Sequence, residues 1–296
     1  MIRNFRQMLE AKWAEGRFVC VGLDSDYKKI PETVKSKKHG VCSVMLDFNQ
    51  AIIDATKDLA GAYKLNAAFY EAHGTAGMDA LRYTIEYIRT AAPKVPVIYD
   101  AKRADIGNTN DGYVKSAFDW LYADAITVNP YFGQEALEPF LKEKDKGIIV
   151  LCRTSNKGAS EFQDLWWDIG LGHPLANKLG KLSITLYQQV AYNVATHWNN
   201  NGNCALVVGA TYPEELARVR QIVGDMPILI PGIGAQGGDL EKTVLAGKDS
   251  RGRGMIINSS RGIIFASSGA DFAEATRHET QKLHNSINQC LKGGVR

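Results

Sequence analysis

The sequence predicts a single (β/α)8 barrel of the TIM type with a short N-terminal helix, and three observations carry that expectation. Eight short apolar, β-branched runs recur along the 296 residues, most of them nearly continuous in apolar character rather than alternating. Parallel strands covered on both faces read this way. Segments with helical periodicity lie between the runs, and no linker or composition break divides the chain, so one domain over 1–296 is expected. A doubly wound open sheet is the alternative architecture, but eight regular units favour closure.

The elements follow in order. Phe5, Met8, Leu9 and Trp13 fit one face of the N-terminal helix, and MIRNFRQMLEAKWAEG has no unbroken apolar stretch of the kind a secretion signal carries. The strand-like runs are 18–24, 62–69, 95–102, 125–130, 147–154, 204–210, 227–233 and 254–260. Met45, Phe48, Ile52, Ala55 and Leu59 step by three and four, as do Met78, Leu81, Ile85, Ile88 and Ala92, and more briefly Leu216, Val219 and Val223. Such stepping lays one apolar stripe against a sheet. The spacing is uneven once: from the fifth run at 147 to the sixth at 204 is 57 residues, against 22 to 44 elsewhere. The extra length carries Trp166 and Trp167 among turn formers. The loop at about 155–175 reads either as a lid or as a packed surface insertion.

Composition removes several classes. With 35 Lys+Arg against 32 Asp+Glu, the formal charge of +3 argues against a general nucleic-acid binder. No apolar run approaches the ~18 residues of a membrane span. The five cysteines are scattered and never form CxxC, which suggests free thiols in a reducing, cytoplasmic compartment. The six histidines show no ligand spacing, so no metal site is expected. The Lys35–Lys38 run reads as a solvated basic loop.

In a barrel the chemistry collects where the strands end. The first run ends at Asp24, the second carries Lys64, and the third leads into Asp100-Ala-Lys102-Arg-Ala-Asp105. Lysine inside an apolar strand is costly unless paired, so Lys64 is not filler. Asp100 and Lys102, two apart on a strand, should share the interior face, with Asp105 opening the next loop. Crowded together, such charges hold one another ionised. The fifth run leads to Thr154-Ser155-Asn156, the seventh to Pro231-Gly-Ile-Gly-Ala-Gln236, and the eighth to Ser259-Ser260-Arg261. Gly232-x-Gly234-x-x-Gly237 has the letters of a dinucleotide fingerprint, but it lies seven strands into the chain. Loops after the last two strands of a barrel commonly hold phosphate, with Gln236 and Arg261 as side-chain donors here. A phosphate monoester is the expected ligand.

YKLN (63–66), YDAKRADIGNT (99–109), VNPYFG (128–133), TSN (154–156), VVGATYP (207–213), PGIGAQGGD (231–239) and SSRG (259–262) together resemble the orotidine 5′-phosphate decarboxylase family, in its longer bacterial-type branch. The resemblance covers seven of the eight strand ends in order and implies a (β/α)8 barrel that pairs as a homodimer. It implies a cofactor-free reaction, the conversion of orotidine 5′-monophosphate to uridine 5′-monophosphate. Lys64, Asp100, Lys102 and Asp105 match the family's alternating array. Lys102 matches the lysine that protonates C6 of the pyrimidine, and Asp100 the carboxylate facing the substrate's own. Asp105 and Thr109 match positions that reach into the partner's site. Asp24 and Lys64 match ribose contacts, and Ser155 the hydroxyl that reads the pyrimidine edge. Pro231, Gln236, Ser260 and Arg261 match the pyrimidine and phosphate wall. Lys157 stands where the family often has proline, which bears on loop stiffness rather than on chemistry.

Three rivals frame this expectation. Metal-dependent phosphosugar aldolases and epimerases share Asp-x-Lys-x-x-Asp, yet an ammonium at Lys64 would repel their divalent ion. A Schiff-base aldolase needs a neutral lysine, which flanking aspartates oppose. A non-catalytic binder would gain nothing from alternating charges beside its ligand.

Overall fold

A computed structural model describes residues 3–37, 39–233 and 239–293. Ten strands occur among them: β1 (Val19–Gly22), β2 (Ala62–Asn66), β3 (Val97–Arg103), β4 (Ala125–Val128), β5 (Gly147–Arg153), β6 (Trp166–Asp168), β7 (Ser183–Thr185), β8 (Cys204–Val208), β9 (Ile228–Pro231) and β10 (Met255–Ser259). Eight of them close a barrel in the order β1-β2-β3-β4-β5-β8-β9-β10, every pair parallel. The eight apolar runs are these eight strands. Each is shorter than its run because the chain turns once it leaves the barrel wall. The run 227–233 stops at Pro231, for instance, where Gly232 takes φ 105°, a conformation L side chains avoid.

The helices pack their apolar stripes on the barrel as their spacing implies. Val41–Thr56 buries Met45, Phe48 and Ile52, and Gly74–Ala91 buries Leu81, Ile85 and Ile88. Pro213–Val223 buries Leu216, Val219 and Val223. The N-terminal helix Phe5–Ala14 is capped by the Asn4 side chain and buries Phe5, Leu9 and Trp13, whereas Met8 is only partly covered. It closes the end of the barrel where the strands begin. Phe5 lies where a Cβ on Gly147 would stand 2.2 Å from its ring, and the Trp13 indole donates to the Met255 carbonyl at 2.8 Å.

The long spacer after β5 is not a plain loop. It holds the helices Ser160–Gln163 and Pro174–Leu179 and an antiparallel pair, β6 with β7, that stands outside the barrel. Strands of three residues are too short for a period to show, and β6 is exposed along its length.

Candidate active site

A cavity of about 410 Å³ opens at the C-terminal ends of the strands. Its floor is charged. Lys64, 3% exposed, sits opposite Gly22 of β1 and Ile98 of β3. Its Nζ donates to Asp24 Oδ1 at 3.2 Å and to Asp100 Oδ2 at 3.0 Å. The other oxygen of Asp100 accepts from Lys102 Nζ at 2.7 Å and from the Thr127 hydroxyl at 2.9 Å. Burial works to raise the Asp100 pKa, but the Lys64 and Lys102 ammonium groups outweigh it and hold the carboxyl well below the usual range. Burial likewise works against a charged Lys64, and Asp100 and Asp24 more than reverse it, leaving the ammonium harder to deprotonate than a free lysine. Both groups therefore stay ionised. Nearby, burial pushes the Cys20 thiol up to about 12, so it stays neutral.

Lys102 reaches this cluster by a different route from the one expected. A regular strand would carry it inward at the same level as Asp100. Instead its φ is 51°, β3 slips register against β4 between Tyr99 and Arg103, and the side chain is 47% exposed. Its backbone N–H turns to the Thr127 hydroxyl at 2.9 Å, and its ammonium folds back over Asp100. A lysine with positive φ costs on the order of 1–3 kcal/mol and persists only where surrounding contacts impose it.

The walls are polar on one side and apolar on the other. Thr154, Ser155 and Asn156 from the end of β5 face Pro231, Gly232 and Ile233 from β9. Asn258, Ser259, Ser260 and Arg261 complete the ring, and Leu151, Val207 and Leu229 supply apolar surface for a flat ring to lie on. Two glycines let these walls close. A Cβ on Gly22 would stand 1.9 Å from Ser260 Oγ, and one on Gly209 would stand 2.7 Å from Ser155 Cβ. Arg261, exposed at the rim, makes no ion pair with the described residues.

Of the residues singled out from sequence, Asp24, Lys64, Asp100, Lys102, Ser155, Pro231, Ser260 and Arg261 line this one cavity. Gln236 lies outside the described residues. Asp105 and Thr109 do not line the cavity. Asp105 Oδ1 accepts from the Ile106 N–H at 2.7 Å, and Thr109 is exposed. Within this chain, then, the second carboxylate on Lys64 is Asp24, not Asp105. The sequence reading passed over Thr127, Asn66 and Asn258. Each is a polar residue inside an apolar strand run, which is the signal that would have found it.

A buried ammonium held between two carboxylates, with a second ammonium over the same aspartate and apolar walls above, is a site for a flat, anionic ligand. The described residues contain no cluster of three or more His, Cys, Asp or Glu able to hold a metal. The model of the orotidine 5′-phosphate decarboxylase / HUMPS family matches residues 17–276. The chain belongs to that family. Orotidine 5′-phosphate decarboxylase of Cellvibrio japonicus is 46% identical over 286 residues, 96% of this chain and 98% of that protein. The protein of that name from Cupriavidus metallidurans is 47% identical over 291 residues, 98% of this chain and 100% of its own length. Among solved structures, the OMP decarboxylase of Leishmania donovani superposes with a TM-score of 0.78 at 36% identity, covering 97% of this chain and 98% of that one. The UMP synthase of the same organism superposes at 0.81 and 38% identity, and there this chain spans 56% of the longer protein. As in other members of the orotidine 5′-phosphate decarboxylase family, the enzyme is a carboxy-lyase built on a (β/α)8 barrel.

Proposed function

We propose that this chain's activity, the decarboxylation of orotidine 5′-monophosphate to uridine 5′-monophosphate in pyrimidine biosynthesis, is carried by the Asp24–Lys64–Asp100–Lys102 cluster. The observation behind it is Asp100 receiving hydrogen bonds from both ammonium groups at the cavity floor. As the bond from C6 to the carboxyl carbon breaks, carbon dioxide leaves and the electron pair stays on C6. Lys102 then gives C6 a proton. Asp100, kept ionised by its neighbours, faces the departing carboxylate and aims Lys102. An ammonium about 4 Å from the developing charge contributes on the order of 4 kcal/mol at an effective dielectric near 20. Enzymes supply roughly 8–23 kcal/mol, so Lys102 cannot act alone. Arg261, with Gln236 and Ser260, supplies the phosphate grip whose binding energy holds the ring against the cluster. Asp24 and Lys64 take the ribose hydroxyls, Ser155 reads the pyrimidine edge, and Pro231 packs on the ring.

The reading extends to assembly and place. Asp105 and Thr109 serve the partner's site in a homodimer, which their position outside this chain's own cavity supports. Ile106, Tyr131 and Phe132 are exposed apolar residues suited to cover by a second copy. Residues 1–296 form one barrel domain, with the segment at about 155–175 as its lid. A cytoplasmic location fits the five free cysteines, and no helix among the described residues is long and apolar enough to cross a membrane. The metal-dependent alternative finds no support here, because Lys64 occupies the gap between Asp24 and Asp100 where a divalent ion would sit. Loss of orotidine 5′-monophosphate, followed with and without EDTA, tests the reading. Activity that survives chelation is expected, and activity abolished by it would overturn a metal-free mechanism.

A further inference from the structure

The residue before Thr154 is Arg153, 3% exposed at the end of β5. A bulge in the pairing of β5 with β8, between Leu151 and Arg153, turns its side chain away from the barrel wall. One arm of the guanidinium donates to the Thr154 carbonyl at 3.0 Å and the other to Asp164 Oδ2 at 3.1 Å. Its plane lies 4.6 Å from the ring of Tyr212, on the loop after β8. Gln163, next to Asp164, accepts from the Thr154 N–H at 2.8 Å and donates to the Thr154 hydroxyl at 2.9 Å, which in turn donates to Asn156 Oδ1 at 2.7 Å. Three segments thus meet on one buried cation: the Thr154–Asn156 loop, the insertion that continues into β6, and the loop after β8.

None of these partners belongs to the barrel wall, so the contacts do little to hold the barrel itself. Burial is also incomplete in its compensation, because the Nε–H has no acceptor among the described residues. A buried donor left unpaired is destabilising, and an apolar side chain would fill the space without that cost. What the guanidinium does uniquely is fix three loops at one point with a planar fork and a stacked face. Ser155 directly follows Thr154, whose carbonyl, N–H and hydroxyl are all engaged at this point. Its backbone presses on Gly209, whose missing side chain makes the approach possible.

We infer that Arg153 is a positioning residue that couples the insertion after β5 to Ser155, so that recognition of the pyrimidine edge depends on the insertion. The inference rests on the reading of Ser155 as the pyrimidine contact. Lysine at this position keeps the charge and loses the fork and the stack.

The test compares two probes in the full chain by calorimetry: uridine 5′-monophosphate, and ribose 5-phosphate, which lacks the ring. Arg153→Lys should weaken the nucleotide about tenfold, the scale of one lost hydrogen bond to a charged group, and leave the sugar phosphate within about twofold. The fall in kcat/KM should come mainly from KM. Asp164→Asn, which cuts the tether at its half-exposed end, should shift the same ratio by about threefold and keeps the test decisive should Arg153→Lys not fold. Equal weakening of both probes would mean a structural role and overturn the inference. So would an unchanged ratio in both variants while Ser155→Ala loses it, and the reading of Ser155 would then stand. An unchanged ratio in Ser155→Ala would remove that reading, and the inference with it.

Discussion

Buried charges lie at both ends of this barrel, and the two ends solve the problem of desolvation differently. At the closed end, Asp124 accepts from Arg3 and from the backbone N–H of Val97, while the Arg220 guanidinium donates to the carbonyls of Gly224, Met226, Gly247 and Gly254. The chain itself satisfies these charges. At the open end, Lys64, Asp24, Asp100 and Lys102 satisfy one another and present their free side to a cavity. Charge bound to backbone is finished architecture. Charge balanced only by other side chains is left able to respond to a ligand.

The sharpest way to break the comparison is at Lys102. Lys102→Ala should lower kcat by about 10²–10⁴, the usual contribution of a general acid, with the unfolding midpoint nearly unchanged because the residue is half exposed and strained. Steady-state rates and thermal unfolding check both halves. Asp124→Ala should do the reverse: about 1–3 kcal/mol of stability lost, since the buried Val97 N–H loses its acceptor and Arg3 its carboxylate, and kcat per folded molecule unchanged. A large loss of kcat at normal stability in that variant would erase the distinction between the two ends. A smaller loss of activity than at Lys102 is expected at the rim. Arg261→Ala should cost kcat/KM about 1.5–3 kcal/mol, roughly ten- to 150-fold, as a charge-assisted hydrogen bond to phosphate disappears. Wild-type kcat/KM in that variant would remove the phosphate grip from the mechanism.

The smallest effect sharpens the picture through pH. Asp100 has a depressed pKa, so its contribution is complete above its ordinary value of 3.8 and is lost as pH falls below it. Lys64 has a raised pKa, so its contribution is complete below its ordinary 10.5 and is lost only as pH rises above that. The difference in unfolding free energy between wild type and Asp100→Asn should therefore stay constant from about pH 5 to pH 9 and shift in favour of the variant below about pH 4. A difference that changes between pH 6 and 8 would mean the pair is not held ionised.

The barrel was legible because period and burial agree: strands covered on both faces must be apolar throughout, and helices between them must carry one stripe. Lys64 and Asp100 were legible for the opposite reason, as charges where apolar residues belong. Lys102 was placed on the correct face by the wrong geometry, since alternation assumes a regular strand and the bulge at Tyr99–Arg103 is set by Thr127 on a neighbouring strand. The β6–β7 pair escaped notice because its strands are three residues each, too short to leave a pattern, and β6 is exposed along its length. Arg153 escaped for a related reason. Its partners lie 10, 11 and 59 positions away, and no local spacing brings Gln163, Asp164 and Tyr212 together around it.

The N-terminal helix has a consequence for the order in which the molecule is made. Its seat is built from Gly147 and Met255, so Phe5 waits for a partner 142 positions further along the chain and Trp13 for one 242 positions further. Contacts of such long sequence separation form late and fold slowly. The ring of strands obeys the same clock, because β1 must wait for β10 before its outer edge is paired. Until those later segments have been made, the newborn chain carries an exposed strand edge and a bare Trp13 ring, and that interval is when it most needs protection from its neighbours.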